Sequence, residues 1–186
     1  MPLVRDQAII LQTFPFGETS KVLRLATRHH GVLSAIARGA LRPRSRFGGV
    51  LEPFSRGAAT LYLKEGRELQ TLSAFELHRT GQALGRDLVR FGGACLLAEL
   101  VVRTRSEEAD PALFRRLARA LHNVETAPAP DLHPTLLAET WALIGHLGFA
   151  PVLERCTACG RSLPPDEPAA FDPAAGGTRC TLCGRL

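Results

Sequence analysis

Four cysteines near the end of the chain have the spacing of a metal site. They form two C-x-x-C-G motifs separated by 20 residues, and the ligands they offer are Cys156, Cys159, Cys180 and Cys183. The glycine after each pair lets the backbone curl so that amides can donate to the sulfurs. Zinc held by four thiolates uses this arrangement, and the closed site leaves no position for a catalytic water. The spacing therefore predicts one structural zinc ion (Zn2+) per chain.

Two redox-active C-x-x-C motifs are the alternative interpretation of these cysteines. The alternative is the weaker one, because neither pair lies between a predicted strand and a predicted helix. Cys95 is the only cysteine in the first 155 residues, and it lies on an apolar stripe that predicts a buried thiol. This distribution is unlike a secreted disulfide framework and indicates a reduced compartment.

A basic stretch in the first third of the chain is the second pattern with chemical meaning. Between Glu18 and Glu52 it contains no acidic residue, and net charge by segment is +6 for 1–80, −1 for 81–150 and 0 for 151–186. Charge segregated in this way predicts a polyanionic partner, with nucleic acid the first candidate. The alternative is a solvated face that keeps the domain soluble. The predicted binding residues are Lys21, Arg24, Arg28, Arg38, Arg42, Arg44 and Arg46.

Other functional classes lack their signatures. The chain has no G-x-x-x-x-G-K-[ST] motif of a P-loop ATPase and no H-x-E beside the cysteine pairs, as a zinc deaminase requires. We therefore expect a protein that is not an enzyme. No run approaches the about 20 apolar residues of a membrane span, and the N-terminus lacks a secretory pattern, so we expect a cytoplasmic protein.

Residues 7–77 have the pattern of short strands separated by turns. Alternating apolar positions and turn signals predict five strands, at 8–14, 21–27, 32–38, 58–64 and 68–77. Five strands with a long excursion between the third and fourth fit an OB-type barrel. In that excursion Pro43 and the glycines favour bends that present the arginines. Three aromatics near it are candidates either for stacking on bases or for the barrel core: Phe47, Phe54 and Tyr62.

After residue 80 the apolar spacing changes to three and four, which predicts helices. Asp110 followed by Pro111 marks the start of the second helix, and Gly148 with Pro151 marks the end of the third. The predicted inward stripes are Leu84, Leu88, Phe91, Cys95, Ala98 and Val102; Leu113, Leu117, Leu121 and Val124; and Leu137, Trp141, Ile144 and Leu147. The fold class predicted is α+β multidomain: an OB-type five-stranded β-barrel (1–79), a small helical bundle (80–150) and a four-cysteine zinc segment (151–186).

The order of these parts resembles the bacterial RecO recombination mediators. The resemblance is specific over residues 5–77, which contain GETSKVLRLATRHHGVLSAIARGALRPRSRFGG, then LEPF and a strand pair ending in AFEL. It is weaker over the helices and good for the cysteine pairs of zinc-bearing members. The resemblance implies a nucleoid-associated protein that binds single- and double-stranded DNA and anneals complementary strands without ATP. It further implies that the protein engages the single-stranded-DNA-binding protein and, with RecR, helps load recombinase.

Two departures limit what the resemblance carries over. Some members lack the cysteines, so zinc is not essential to the family's activity. Members usually continue for several tens of residues beyond the second cysteine pair, which implies a further helical piece after Leu186. The family's DNA contacts transfer only as the basic residues of the barrel segment, and the partner-binding groove does not transfer residue by residue.

Two other classes of function stay open from the sequence. A non-enzymatic adaptor would bind proteins through its helices and zinc segment, and its basic face would serve only solubility. A metalloenzyme is disfavoured by the closed set of four thiolates. Binding to DNA at low salt separates the mediator from the adaptor.

Overall fold

Five strands close into a barrel in the computed structural model, which describes residues 2–104 and 109–184. The strands are β1 (Leu3–Phe16), β2 (Ser20–Thr27), β3 (Val32–Ala37), β4 (Arg56–Tyr62) and β5 (Leu69–Arg79). Their order around the barrel is β1-β2-β3-β5-β4, with β3 and β5 parallel and the other neighbours antiparallel. The predicted five-stranded barrel of OB type is confirmed.

Alternate side chains of the strands fill the barrel. Phe47 and Leu51, from the excursion between β3 and β4, join this core, and Phe54 is only 2% exposed beside the ring of Phe91. For Phe47 and Phe54 the core interpretation is therefore the correct one, whereas Tyr62 is 39% exposed. The strand residues of the core are Ala8, Ile10, Leu23, Leu25, Ala35, Ala37, Ala59, Leu61, Leu72 and Phe75.

A bulge in β1 changes which of its side chains face the core. The pairing register with β2 shifts between Ile10 and Gln12, so Leu11 is an extra residue. Before the bulge Ile10 lies in the core, and after it Thr13 pairs with the buried Leu23. Because one inserted residue reverses the alternation, the later part of β1 turns its even-numbered side chains outward.

Three helices follow the barrel. They are α1 (Leu88–Arg103), α2 (Pro111–Thr126) and α3 (Leu132–Ile144), and a short 3-10 turn, Leu84–Arg86, precedes α1. The carboxylate of Asp110 accepts from the amides of Ala112 and Leu113 at 2.8 and 2.9 Å, so the predicted start of α2 is confirmed. The predicted buried stripe of α2 is confirmed at Leu117, Leu121 and Val124. No described helix is long and apolar enough to cross a lipid bilayer.

The predicted buried stripe of the first helix is correct at Leu84 and Ala98 and wrong at Leu88 and Cys95. Leu88 is 85% exposed and Cys95 is exposed, while the buried positions are Gly93, Ala94, Leu97, Ala98 and Val101. Small residues explain the difference, since a Cβ on Gly93 would lie 2.1 Å from a methyl carbon of Leu136 in α3. Close helix packing therefore selects the small side chains, and Cys95 is not a core thiol.

The predicted inward stripe of α3 is wrong at Leu137 and Trp141, and here a polar contact is the reason. Leu137 and Trp141 are 61% and 47% exposed, whereas Glu139 is buried. The Glu139 carboxylate accepts from Asn123 at 2.6 Å and from Arg116 at 3.3 Å, both in α2. This polar contact turns α3 away from the orientation that its apolar spacing predicts.

The chain divides into two compact units, Met1–Leu143 and Ile144–Leu186. In the second, β6 (Ala169–Asp172) and β7 (Gly177–Cys180) form an antiparallel hairpin. Its core is small and consists of Cys156, Leu163 and Cys180, with Ala169 and Cys183 packed against them. We call residues 144–186 the cysteine unit.

Candidate nucleic-acid interface and candidate metal centre

The excursion between β3 and β4, residues 38–55, carries four of the predicted arginines, and we call it the basic loop. Successive turns fold it, with amide-to-carbonyl bonds from Arg42 to Gly39 and from Ser45 to Arg42 at 3.2 and 3.0 Å. Gly39 has a φ of 73°, a conformation that favours glycine. The amide of Leu41 donates to the carbonyl of Thr19 at 2.8 Å. The basic loop is thus fixed beside the turn that joins β1 and β2.

The arginines of this region are presented to solvent without acidic partners. All but Arg24, which is half-buried, are exposed, and the guanidinium of Arg46 lies 5.0 Å from the centre of the Phe47 ring. Within the described part of the chain, no carboxylate forms an ion pair with the side chains of Arg24, Arg28, Arg38, Arg42 or Arg44. Their charge is available to a polyanion.

Lys21 differs from the other predicted cations. Its Nζ lies 2.9 Å from Glu52 Oε1 and donates to the carbonyl of Leu51 at 3.3 Å, and its side chain is only 16% exposed. The side chain therefore fastens the end of the basic loop to β2. The structure brings Arg38 and Arg42 together on the walls of one surface depression of about 470 Å³. Arg28 directly follows the C-terminal end of β2, whereas Lys21 lies near its N-terminal end.

The two histidines of the basic stretch are tied to a buried carboxylate. Asp6 is 5% exposed and accepts from the His29 amide at 2.8 Å, from His29 Nδ1 at 3.0 Å and from His30 Nδ1 at 2.8 Å. Burial by itself raises the pKa of Asp6, but the hydrogen bonds from His30 and His29 outweigh it and hold that pKa below its usual value of 3.8. Asp6 thus anchors the turn between β2 and β3.

Sequence reasoning missed two aromatic side chains on the outer barrel surface. Phe14 and Phe16 are 48% and 55% exposed, and Phe16 lines the same depression as Arg38 and Arg42. The predicted first strand ends at Phe14, whereas β1 continues through Pro15 to Phe16. Strict alternation would put Ile10, Phe14 and Phe16 on one face of the strand. The bulge at Leu11 instead places Ile10 in the core and the two phenylalanines on the outer surface.

The four predicted metal ligands converge in the cysteine unit. The Sγ atoms of Cys156, Cys159, Cys180 and Cys183 all lie within 4.8 Å of one another. Each pair sits in a tight turn, closed by the amide of Gly160 donating to the Cys156 carbonyl at 2.9 Å and that of Gly184 donating to the Cys180 carbonyl at 2.7 Å. Two turns therefore place four sulfurs around one point.

The electrostatics of this cluster fit a bound cation. Backbone amides of Cys180, Cys159 and Ala158 lower the pKa of the Cys156 thiol to about 6. The neighbouring sulfurs of Cys180 and Cys159 raise the pKa of Cys183 to about 12. Four thiolates this close repel one another, so the cluster ionises fully only with a positive charge at its centre. Four sulfur donors suit zinc, and the residues present fit it.

Comparison with known proteins gives consistent matches along the chain. Residues 1–80 match the family described as "Recombination protein O N terminal", and residues 85–185 match "Recombination protein O C terminal". The chain is 35% identical to the DNA repair protein RecO of Nocardioides sp., an alignment that covers 97% of this chain and 74% of that protein. It is 37% identical to the DNA repair protein RecO of Pelotomaculum thermopropionicum, covering 98% of this chain and 69% of the relative. The protein of the same name from Thermobifida fusca is 34% identical, over 98% of this chain and 74% of its own length.

Proposed function

The chain belongs to the RecO family of DNA repair proteins, and from this we propose that it binds single- and double-stranded DNA and anneals complementary strands without ATP. The observation that supports the proposal most is the set of exposed arginines on the basic loop, which have no carboxylate partners among the described residues. A phosphate backbone supplies the missing countercharge. The proposed principal contacts to phosphate are Arg38, Arg42, Arg44 and Arg46. Two further contacts are proposed at Arg24, which lies in β2, and at Arg28, which directly follows β2.

In this proposal the free energy of binding DNA is sufficient to drive annealing, and no ATP is needed. Two complementary strands repel each other through their phosphates, and arginines that neutralise those phosphates lower the repulsion and raise the local concentration of strands. Contacts to phosphate position a strand without specifying its sequence, so the base edges stay free to pair. No chemical step on DNA is proposed, and the protein acts as a mediator and not as an enzyme.

We further propose that one structural zinc ion is held by Cys156, Cys159, Cys180 and Cys183. The functional division that goes with this is a DNA-binding barrel (1–79), a helical segment (80–150) and a zinc segment (151–186).

RecR and the single-stranded-DNA-binding protein are the proposed protein partners, and the nucleoid in the cytoplasm is the proposed location. Family membership supports the proposed partners and the proposed location. Co-elution of the chain with each purified partner tests the partner proposal.

A charge-reversal pair tests the DNA-binding proposal. Arg38→Glu with Arg42→Glu removes two phosphate contacts and adds two repulsive charges, so we expect at least a tenfold loss of affinity for every DNA sequence alike. Wild-type affinity for single strands falls steeply with salt, with a slope of log K against log salt near about −4 for roughly six phosphates. Fluorescence anisotropy measures binding, and a fluorescence-quench assay without ATP or magnesium measures annealing.

The matched control is Arg115→Glu with Arg119→Glu, which makes the same charge change on exposed positions of α2. This control binds DNA much as the wild type does if the barrel carries the site. Equal loss in both variants would mean that only net charge matters. Wild-type protein that fails to bind at low salt, or binds yet leaves the annealing rate at its spontaneous value, would favour the adaptor.

A further inference from the structure

Two phenylalanines on the outer barrel surface have no part in the function proposed above. Phe14 and Phe16 are 48% and 55% exposed, although both belong to strand β1. The bulge at Leu11 sets this orientation, because it shifts the register by one residue and turns both rings away from the barrel core. The strand therefore holds two flat apolar surfaces toward solvent.

The pairing register places these rings among apolar, polar and basic strand neighbours, and the Glu99 carboxylate of α1 accepts from Gln12 Nε2 at 3.1 Å at one edge of this face. Residues that pair across antiparallel strands lie on the same face of the sheet, with their Cβ atoms about 5 Å apart. Residues i and i+2 of one strand also lie on the same face and are about 6.6 Å apart. The outward positions of β1, β2 and β3 around the rings therefore form one surface, and none of them is acidic. They are Gln12 with Arg24 and Ser34, Phe14 with Val22 and Ile36, and Phe16 with Ser20.

Phe16 also forms one wall of the depression that Arg38 and Arg42 line, which has a volume of about 470 Å³. Ile36 contributes a further apolar wall. The bond from the Leu41 amide to the Thr19 carbonyl, 2.8 Å long, holds the basic loop against the turn after Phe16. An aromatic residue and two arginines thus line the same depression.

We propose that Phe14 and Phe16 form a stacking platform for the unpaired bases of a single strand, with Arg38 and Arg42 placed for the phosphates that join them. The platform rests on the DNA-binding function proposed above and specifies which part of the nucleic acid this face recognises. Proteins that hold single strands without sequence preference combine a cationic groove with aromatic rings, because every base has a π face. The two arginines make a polyanion the occupant, in preference to an apolar peptide.

A stacking platform distinguishes single strands from duplexes. In a duplex each base is covered by its neighbours in the stack, so the rings cannot stack on a base face. The rings therefore hold a strand before annealing and lose their contacts when the duplex forms, whereas the arginines contact both states. The platform consequently favours release of the annealed product.

The test compares Phe14→Leu with Phe16→Leu, combined in one chain, against Phe149→Leu, a control at a residue that is 67% exposed. Leucine keeps apolar volume without a π face. Anisotropy is measured with an oligothymidylate, with an abasic strand of equal length and with a duplex of equal length. We expect the double variant to bind the oligothymidylate about tenfold or more weakly, with duplex affinity and salt slope unchanged. We also expect the abasic strand to bind the wild type as weakly as the oligothymidylate binds the variant.

A second measurement does not depend on loss of binding. In Phe16→Trp, made with Trp141→Phe so that the new indole is the only one, we expect oligothymidylate to quench the indole fluorescence and the abasic strand to leave it unchanged. An intact affinity in the leucine variant, equal losses for single strand and duplex, or tight binding of the abasic strand would overturn the platform. If Arg38→Glu with Arg42→Glu also leaves affinity unchanged, the DNA site itself lies elsewhere. If only the leucine variant is normal, the platform alone fails.

Discussion

The barrel and the cysteine unit handle their charged groups in opposite ways. On the barrel, the arginines of the basic loop face solvent, and none of them pairs with a carboxylate among the described residues, while the interior is filled by leucine, isoleucine, alanine and phenylalanine. In the cysteine unit, four thiols converge on a core that otherwise contains little more than Leu163 and Ala169. The uncompensated charge of the barrel is therefore outside its core, whereas the cysteine unit has two of its four thiols, Cys156 and Cys180, inside its core.

This difference separates binding from folding. Burial of the barrel core is independent of any anion, so DNA is expected to change the occupancy of the barrel and not its fold. Four thiolates repel one another in the absence of a cation, so we expect the free energy of metal binding to contribute directly to folding of the cysteine unit. In our proposal the same chain thus has one surface that binds a polyanion and one core that a cation stabilises.

Removal of the metal is expected to have the largest effect. Chelation, or Cys180→Ser at a fully buried ligand, should unfold the cysteine unit, because apparent zinc-binding energies of about 10–16 kcal/mol exceed what so small a core supplies. Hydrogen exchange followed by mass spectrometry should show loss of protection over 152–184 and unchanged protection in β1 to β5. Cys95→Ser, at an exposed position outside the cluster, is the control.

Two results would contradict this view of the cysteine unit. Protein purified without chelator that contains no zinc, and has two disulfides instead, would show that the redox interpretation is the right one. Loss of protection in the barrel together with the cysteine unit would show that the metal supports both units and that the contrast between them is wrong.

The same contrast explains how far the sequence predicts each region. The cysteine cluster depends on two local motifs, so the spacing of Cys156, Cys159, Cys180 and Cys183 is enough to predict that they meet. The barrel depends on alternation over five short segments, and its strands were found to within a few residues. Both predictions use information that is local along the chain.

The predictions fail at two kinds of position. One is a β-bulge, where a strand contains an extra residue, and the other is a helix face that is determined by a contact distant in sequence. The bulge at Leu11 is visible only through its pairing with β2, so alternation alone did not reveal the outward rings of Phe14 and Phe16. The buried face of α1 depends on Leu136 of α3, which leaves no room for a Cβ on Gly93. Helical periodicity in one segment contains no such information, and it favoured the larger but exposed Leu88.

An intermediate effect is expected at Asp6, a buried carboxylate that the barrel compensates with hydrogen bonds from His29 and His30. The folded pKa of Asp6 is lowered, so its contribution to stability is present at neutral pH and is lost as pH falls below about 3.8 through that folded pKa. Asp6→Asn should therefore cost about 1–3 kcal/mol at pH 7, typical for hydrogen bonds to a charged group, and progressively less toward pH 3. Denaturant titration followed by circular dichroism measures both, and an equal loss at pH 7 and pH 3 would exclude the carboxylate charge as the cause. Asp166→Asn, at an exposed acid of the cysteine unit, is the control.

The smallest effect is expected at Lys21, which the sequence groups with the DNA-binding cations. Its ammonium group already has a partner in Glu52 and a side chain only 16% exposed, so it contributes little uncompensated charge to a phosphate. Lys21→Met keeps the apolar stem that packs along β2, and we expect it to weaken single-strand binding by less than about threefold, with the salt slope unchanged. The matched change at an unpaired cation, Arg38→Met, should cost more and make the slope shallower by about 0.7, one phosphate contact. A loss at Lys21 as large as that at Arg38 would mean that the lysine leaves Glu52 for DNA, and that the barrel's charge is not divided into paired and available groups.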